Sequence, residues 1–565
     1  MTELPPFCYN MSEKGVTDMH IELEHELPAL RIDGRQNGTY NNEELGLPGI
    51  LTTTDFRLGE FMHQLRNIIW DDRRLVFLDG KMLMCSKNWI RDHVHEMKAF
   101  CHWEYDIGSF LNFILDTQRE DGQFFELVKQ TDDRHWAMVN EDCRVFYPDD
   151  NQTLVRLELE ADIEYLVVEG AMHYYRVTGD PDWLRRALPK LEKGILYDLT
   201  SEKRFDKAHG LVKRPFTIDT WDFFYEPDNH SKNAPDRRIS ERSPMSVMHG
   251  DNTGVYQAMN MLAFFNRKLG MEEKATEWEK RAEVLRGNIF RYLYNGRFFI
   301  HQLHLGHNGA DDRENERLSL SNAYALNRGI FTVEEKRRVI ESYLALKEKT
   351  GYFAEWFSIY PPYDDFIGYK PGQYVNGAIS PFTAGELAKG AFSCGYEAYG
   401  WDILSRFIEM RERDGKIFFL YSPIDCTPQD KQGPSAWGAA ALLSAIDEGL
   451  AGIEDLDTGY RDLGFSPRFP VTPYRELRYL TGYEKTGTVV DVRFIQKDEG
   501  LRYDILSPAE TVRAHILLPD GKKADRVFVN GTPVAFENTA VWESPYVDFT
   551  VPGEKKLSIE VLFER

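Results

Sequence analysis

Thr220-Trp221-Asp222-Phe223-Phe224-Tyr225 sets one carboxylate among aromatic rings. Rings strip water from an acid, which raises its pKa and keeps the proton on, as a general acid requires. Asp222 as a helix cap or as an arginine's partner is the competing reading. Asn88-Trp89-Ile90-Arg91-Asp92-His93-Val94-His95-Glu96 offers a second set. Trp89 supplies a ring face for CH groups, and Arg91 and Asp92 supply charges for hydroxyls, a combination suited to a sugar. Asp92 as a simple helix cap beside a surface Arg91 stays open. His93 and His95 are two residues apart and do not share a helix face, so they are a poor metal pair.

Three further stretches carry candidates. His249-Gly250-Asp251-Asn252-Thr253-Gly254 has Asp251 or Asn252 placed to cap a helix, with a ligand contact as an added role. Tyr352 to Pro381 is dense in rings and amides, with Glu355, Trp356, Tyr374 and Asn376 as candidates; a packed lid is the other reading. Phe418 to Asp430 supplies Asp425 and Asp430. Asp219 lies three residues before Asp222 in the same long loop. No phosphate-binding glycine loop, G-x-S-x-G elbow, HExxH or zinc cysteine set occurs, and no metal or cofactor is expected.

These stretches fall between helices. The apolar spacing predicts twelve, near 56–70, 91–104, 107–119, 153–178, 180–200, 251–269, 272–294, 318–328, 332–348, 376–393, 396–411 and 434–448. Pairs break at Gly179-Asp180-Pro181 and at Gly270-Met271-Glu272. The 251–269 segment is apolar nearly all round, while 272–294 has a wet face of Glu and Lys. Buried helices alternating with half-exposed ones predict two concentric layers, an (α/α)6 barrel. An α-solenoid would show a fixed sequence period, and none is found. Rim loops of a closed barrel converge over its axis, where distant residues meet.

The barrel is expected over 56–460. Residues 1–55 read as a β-rich segment packed on it, with Ile21 to Leu27 alternating, and Phe77 to Leu83 reads as a hairpin. Beyond 465, strand-like runs such as Val489 to Phe494 and Leu557 to Phe563 are punctuated by Pro519-Asp520-Gly521 and Asn530-Gly531. They predict a C-terminal β-sandwich over 465–565 with a packing role.

The chain has 565 residues, 42% hydrophobic and 28% charged, which excludes a disordered or fibrous class. Its formal charge of −23 argues against nucleic acid and anionic membranes as partners. No window approaches the roughly 18 to 20 apolar residues of a membrane span. The start lacks a basic and an apolar signal region, and six scattered cysteines fit a reducing compartment, so a cytoplasmic location is expected.

Taken together, the motifs resemble the six-hairpin glycosidases: glucoamylases, trehalases, α-L-rhamnosidases and relatives. Trp89-Ile90-Arg91-Asp92 is similar to the W-x-R-D element of bacterial glucoamylases, and Thr220-Trp221-Asp222-Phe223 to the trehalase segment whose Asp is the catalytic acid. Gln373 to Pro381 looks like the family's Asn-Gly-x-Ile-x-Pro stretch, Asp251-Asn252 like its Asp-Leu-Asn, and Ala436-Trp437-Gly438 like its last barrel helix. The resemblance implies a glycoside hydrolase, inverting and exo-acting, with Asp222 as acid and an oligosaccharide or glycoside as substrate. Trp89, Arg91, Asp92, Asp219, Trp221, Asp251, Trp356, Tyr374 and Asn376 would hold the sugar. The family's Glu before the last helix is missing, since Tyr421 follows Phe419-Leu420. The base is then Asp425, Asp430 or Glu355. Alternatives are a sugar epimerase or isomerase using His93, His249 or His304, a polysaccharide lyase, and a carbohydrate-binding protein without turnover.

Overall fold

The computed structural model describes residues 50–131, 139–222, 238–306, 312–429 and 433–564. The expected strand at Ile21 to Leu27, the rings Phe223 to Tyr225 and Asp430 lie outside them.

Twelve α-helices are described: α1 (Phe56–Asp72), α2 (Ile90–Phe100), α3 (Ser109–Asp116), α4 (Ile163–Thr178), α5 (Pro181–Thr200), α6 (His249–Lys268), α7 (Glu272–Leu293), α8 (Ser321–Ala325), α9 (Val333–Thr350), α10 (Pro381–Phe392), α11 (Glu397–Asp414) and α12 (Ala436–Ser444). Each of the expected segments contains one. The break between α4 and α5 forms as its residues dictate. Gly179 adopts a left-handed φ of 58°, Asp180 accepts from the amides of Asp182 and Trp183, and Pro181 opens the next helix. The even-numbered helices pack in succession, α2 on α4, α4 on α6, α6 on α8, α8 on α10 and α10 on α12, and α12 returns to α2. The odd-numbered helices lie against them, α7 on α6 and α11 on α10 most extensively. Burial follows this division. In α6 fourteen of twenty residues are buried, whereas α7 buries a stripe of Ala275, Trp278, Ala282, Leu285, Ile289 and Leu293.

Three helix starts differ from expectation, each for a local reason. Helix α4 begins at Ile163 rather than near 153, because Gln152–Val155 is a strand paired with Leu127–Gln130 and Arg144–Tyr147. From Val155 to Glu160 apolar and charged residues then alternate with period two. Helix α10 begins at Pro381, capped by Ser380. Helix α8 keeps only five residues of its expected eleven.

Small strands flank the helices: β1 (Thr52–Thr53) and the hairpin β2 (Arg73–Leu78) and β3 (Lys81–Ser86), the latter as expected. After α12 the chain turns to β4 (Ile453–Asp455), β5 (Asp462–Phe465), β6 (Glu476–Tyr483), β7 (Thr488–Lys497), β8 (Gly500–Leu506), β9 (Thr511–Leu517), β10 (Ala524–Val529), β11 (Thr532–Pro533), β12 (Glu537–Val541), β13 (Ser544–Pro552) and β14 (Lys556–Phe563). They form two sheets, ordered β1-β6-β7-β8-β14-β10-β11 and β4-β5-β9-β13-β12. Pairing is antiparallel except between β5 and β9. Phe465 of one sheet meets Tyr503 of the other edge to face at 5.4 Å. The β part docks on the helical part through buried polar links. Tyr479 donates to Asp447 at 2.9 Å and Tyr546 to Glu397 at 2.6 Å.

Candidate active site

The N-termini of α2, α4, α6, α10 and α12 lie at one end of the helical part. Arg91 enters from the first turn of α2 and is buried. Its Nε donates to Asp162 Oδ2 at 2.6 Å and its Nη2 to Asp162 Oδ1 at 2.8 Å, and Nη2 also reaches Glu160. Arg214 meets Glu160 from the other side, Nη2 to Oε2 at 3.3 Å, and its Nη1 stands 3.8 Å from Asp251 at the start of α6. Two arginines therefore hold three carboxylates, all buried. A second group adjoins it, Arg156 between Glu126 at 3.1 Å and Glu164 at 3.0 Å.

The acids in this network differ in state. Burial opposes the charge on Asp162, but Arg91 and Arg214 outweigh it and its pKa falls below the usual range. Burial dominates at Glu160 and raises its pKa, offset in part by Arg91 and Arg214, with Asp162 and Asp222 adding. Asp251 is pushed up to about 7 by burial against the pull of Arg214, and neither oxygen has a hydrogen-bond partner among the described residues. Side-by-side carboxylates cannot all ionise in a dry site, and the proton settles where burial is least compensated.

Above this layer lies the loop of Asp222. Arg214 Nη2 donates to the carbonyl of Trp221 at 2.7 Å. Asp219 takes a left-handed φ of 52°, and its amide donates to His301 Nε2 at 3.1 Å. Its side chain rests by Gly250, where a Cβ would collide with Ser321 and crowd the Asp219 carboxylate. The half-buried Trp221 ring packs 5.0 Å from Tyr374, 6.0 Å from Phe419 and 6.5 Å from Phe382. Lys87 lies 5.5 Å over Phe419 and 3.9 Å from Asp92. The Tyr374 phenol is pushed well up by burial and then by the charges of Asp222, Tyr369 and Asp92. It stays protonated in the neighbourhood of both aspartates. Below, Trp437 stacks on His95 at 4.2 Å and on Phe382 at 4.8 Å, and its Nε1 donates to Tyr324 at 2.6 Å.

Arg91, Asp92, Trp221, Asp222, Tyr374 and, beneath them, Asp219 and Asp251 thus come to one end of the helices. Trp89 is half-buried beside them, with Lys129 over its ring at 5.4 Å. Asp425 is exposed; its Oδ1 accepts from the amide and hydroxyl of Thr427, which lower its pKa. Its loop is tied to that of Tyr374, whose amide donates to Gln429 at 3.1 Å.

Three expected side chains are engaged elsewhere. Glu355 is buried, with both oxygens held by Arg406 at 2.8 Å and a further hydrogen bond from Tyr399. Trp356 is buried against Phe407 at 4.7 Å. Asn376 spends its amide on the loop itself, accepting from the Tyr363 amide at 2.8 Å and donating to the carbonyls of Tyr363 and Tyr369. The expectation that Asn376 and Trp356 face a sugar misjudged rings and amides that close a lid on itself. His93 is walled in by Phe100 and Phe110 and its pKa is lowered to about 3 by burial. His249 is lowered to about 4, chiefly by burial. Neither is placed as a proton carrier near neutral pH.

Glu160, Asp162 and Arg156 were missed by sequence reasoning. A signal for Arg156 and Glu160 was the alternation of apolar and charged residues from Val155 to Glu160, which does not fit a helix beginning near 153. Among the described residues no group of three or more His, Cys, Asp or Glu side chains is placed to hold a metal, and no helix is long and apolar enough to cross a membrane.

The sequence matches no family model and no curated protein. Solved structures are similar in shape. A GH78 family rhamnosidase of Bacillus sp. GL1 matches with a TM-score of 0.55 and 16% identity, over 82% of this chain and 42% of its own. The α-L-rhamnosidase from Dictyoglomus thermophilum matches with a TM-score of 0.56 and 12% identity, over 91% of this chain and 50% of its own. A sialidase structure matches with a TM-score of 0.55 and 12% identity, over 88% of this chain and 41% of its own. The chain spans half or less of the length of these structures. The likeness is one of fold alone.

Proposed function

We propose that the protein is a glycoside hydrolase, with an (α/α)6 barrel over 56–460 and a β-sandwich over 465–565, acting on a terminal sugar of an oligosaccharide or glycoside with inversion. One observation carries this reading. One carboxylate, Asp222, follows the Trp221 ring in the chain and acts on the Tyr374 phenol at the end of the helices, on a loop fixed by Arg214 to buried carboxylates. Sugars stack their CH faces on such rings, and a charged floor fixes hydroxyls by hydrogen bonds that water no longer satisfies.

In this scheme Asp222 protonates the leaving oxygen. A second carboxylate activates water on the far side of the ring, which requires a separation of roughly 6.5–9.5 Å. Asp425 is the candidate for that role, since Glu355 is saturated by Arg406 and Tyr399. Arg91, Asp92 and Tyr374 would bind the sugar. A cytoplasmic location is part of the same proposal.

The test is a panel of nitrophenyl glycosides and oligosaccharides, with product anomers followed by NMR. Asp222→Asn should lose at least about 1000-fold in kcat while its circular dichroism and Tm stay near wild type. Near-normal turnover would remove Asp222 from the mechanism. Asp425→Ala should be rescued by azide, with a glycosyl azide of inverted configuration as product; absence of any kcat loss in that variant would exclude Asp425.

A further inference from the structure

At the opposite end of the helices from Asp222 lies a cavity of about 350 Å³. It is bounded by the C-terminal parts of α4 and α10, the first turn of α9 and the chain after α12. Its charges are unlike those of the rest of the molecule. In a chain of formal charge −23, six Lys and Arg side chains line this space against four Glu.

Two of the cations are matched. Lys98 pairs with Glu386 at 2.6 Å, and Lys389 pairs with Glu448. A third, Arg328, is spent on Gly250 and Thr253 at 2.8 Å each. Arg176, Lys336 and Arg468 form no ion pair among the described residues. Arg468 gives its Nη1 to the carbonyls of Gly449 and Ser466. Lys336 donates only to the hydroxyl of Ser393, at 2.9 Å. Of the two remaining carboxylates, Glu169 stands 3.9 Å from His173, and Glu454 is exposed at the cavity's edge.

Cations at helix C-termini are favoured by the helix dipole, which accounts for Lys98, Arg176 and Lys389. It does not account for Lys336. That residue is in the first turn of α9, where the dipole presents its positive end. Burial depresses its pKa, with Arg468 and Lys389 adding to the effect and Glu454 opposing it. A half-buried ammonium, at the positive end of a helix and near the cations of Arg468 and Lys389, has only the exposed Glu454 to offset it and forms no ion pair with it among the described residues.

We propose that this basal cavity is a binding site for a small phosphate-bearing anion. Lys336, Arg176 and Arg468 supply the charge and Ser393 a hydroxyl. The volume admits either free phosphate or a phosphate monoester on a small polar body. The site is separate from the sugar end and does not depend on the proposed hydrolysis.

Calorimetric titration of the full chain at pH 7 in chloride buffer tests this, with inorganic phosphate in one arm and glucose 6-phosphate in the other. Saturable one-to-one binding is expected in at least one arm. The tighter arm identifies which source the cavity suits. Lys336→Met and Arg176→Met should each weaken that binding at least tenfold with unchanged circular dichroism. No saturable heat in either arm, or affinity unchanged in both variants, overturns the proposal. Should a variant fail to fold, wild-type crystals soaked in phosphate decide: density between Lys336 and Arg176 supports the site, and a cavity without it at saturating phosphate overturns it.

Discussion

Arg214 donates to the main-chain carbonyl of Trp221 at 2.7 Å with the same Nη2 that reaches Glu160 at 3.3 Å. A guanidinium buried beneath the loop thereby ties the peptide leading into Asp222 to a carboxylate that is itself fixed by Arg91. The geometry of the proposed acid rests on this bridge, because Asp222 belongs to a loop and not to a helix.

The bridge has a measurable consequence. Lysine keeps the charge but not the planar fork that serves several acceptors at once. Arg214→Lys should therefore lower kcat about 10- to 100-fold, the scale of loss expected from a small misplacement of a catalytic group. Arg214→Met should cost about 3–5 kcal/mol in stability, because Glu160 and Asp251 lose a buried partner. Kinetics and thermal unfolding on the same preparations separate the two effects. A lysine variant with full kcat would show that the loop holds its position without this residue.

A second relationship predicts the opposite pattern. Glu355 meets Arg406 through two bonds of 2.8 Å and also accepts from Tyr399, all away from solvent. Glu355→Gln removes the charge from a buried pair and leaves Arg406 with only the half-exposed Asp402, 2.8 Å away, so the cost falls below the roughly 3–5 kcal/mol of a wholly uncompensated buried charge. Its kcat, measured well below the lowered Tm, should stay within about threefold of wild type. A thousandfold loss of kcat without loss of stability would return Glu355 to the chemistry.

The contrast between Glu355 and Asp222 shows where the sequence was legible. Helix number and pairing could be read because apolar spacing is a local property, and α6 and α7 differ in it plainly. Asp222 stood out because its neighbours in the chain are rings, and Trp221 remains its neighbour in space. Glu355 and Trp356 have the same local look, yet their partners Arg406 and Phe407 are some fifty residues away on α11. Nothing near them in the chain announces that commitment. The same holds for Glu160 and Asp162, which fall within the segment expected to be helical from about 153. They lie instead in the non-helical stretch that leads into α4, where Arg91 and Arg214 arrive from two other segments to pair with them.

The junction between the helical and β parts gives a prediction in pH. Asp447 is buried there, with hydrogen bonds from Tyr479 at 2.9 Å and Thr481 at 3.2 Å and His102 at 3.7 Å. Burial raises its pKa from 3.8 to about 6, against the pull of His102 and with Glu448 adding. Below pH about 4 the acid is neutral in both folded and unfolded chains and carries no penalty. Between about 4 and 6 the unfolded chain gives up the proton first, so stability falls as pH rises. Above that window the penalty is constant, about 3 kcal/mol at most. Asp447→Asn removes the titration and keeps an oxygen for the Tyr479 hydroxyl. The difference in Tm, variant minus wild type, should climb from pH 4 to 6.5 and then stay level to pH 8. Calorimetric scans across that range check it. A difference that does not change with pH would mean that Asp447 ionises in the folded protein as readily as in the open chain, and that the junction is wetter than the packing of Tyr479 and Thr481 around it implies.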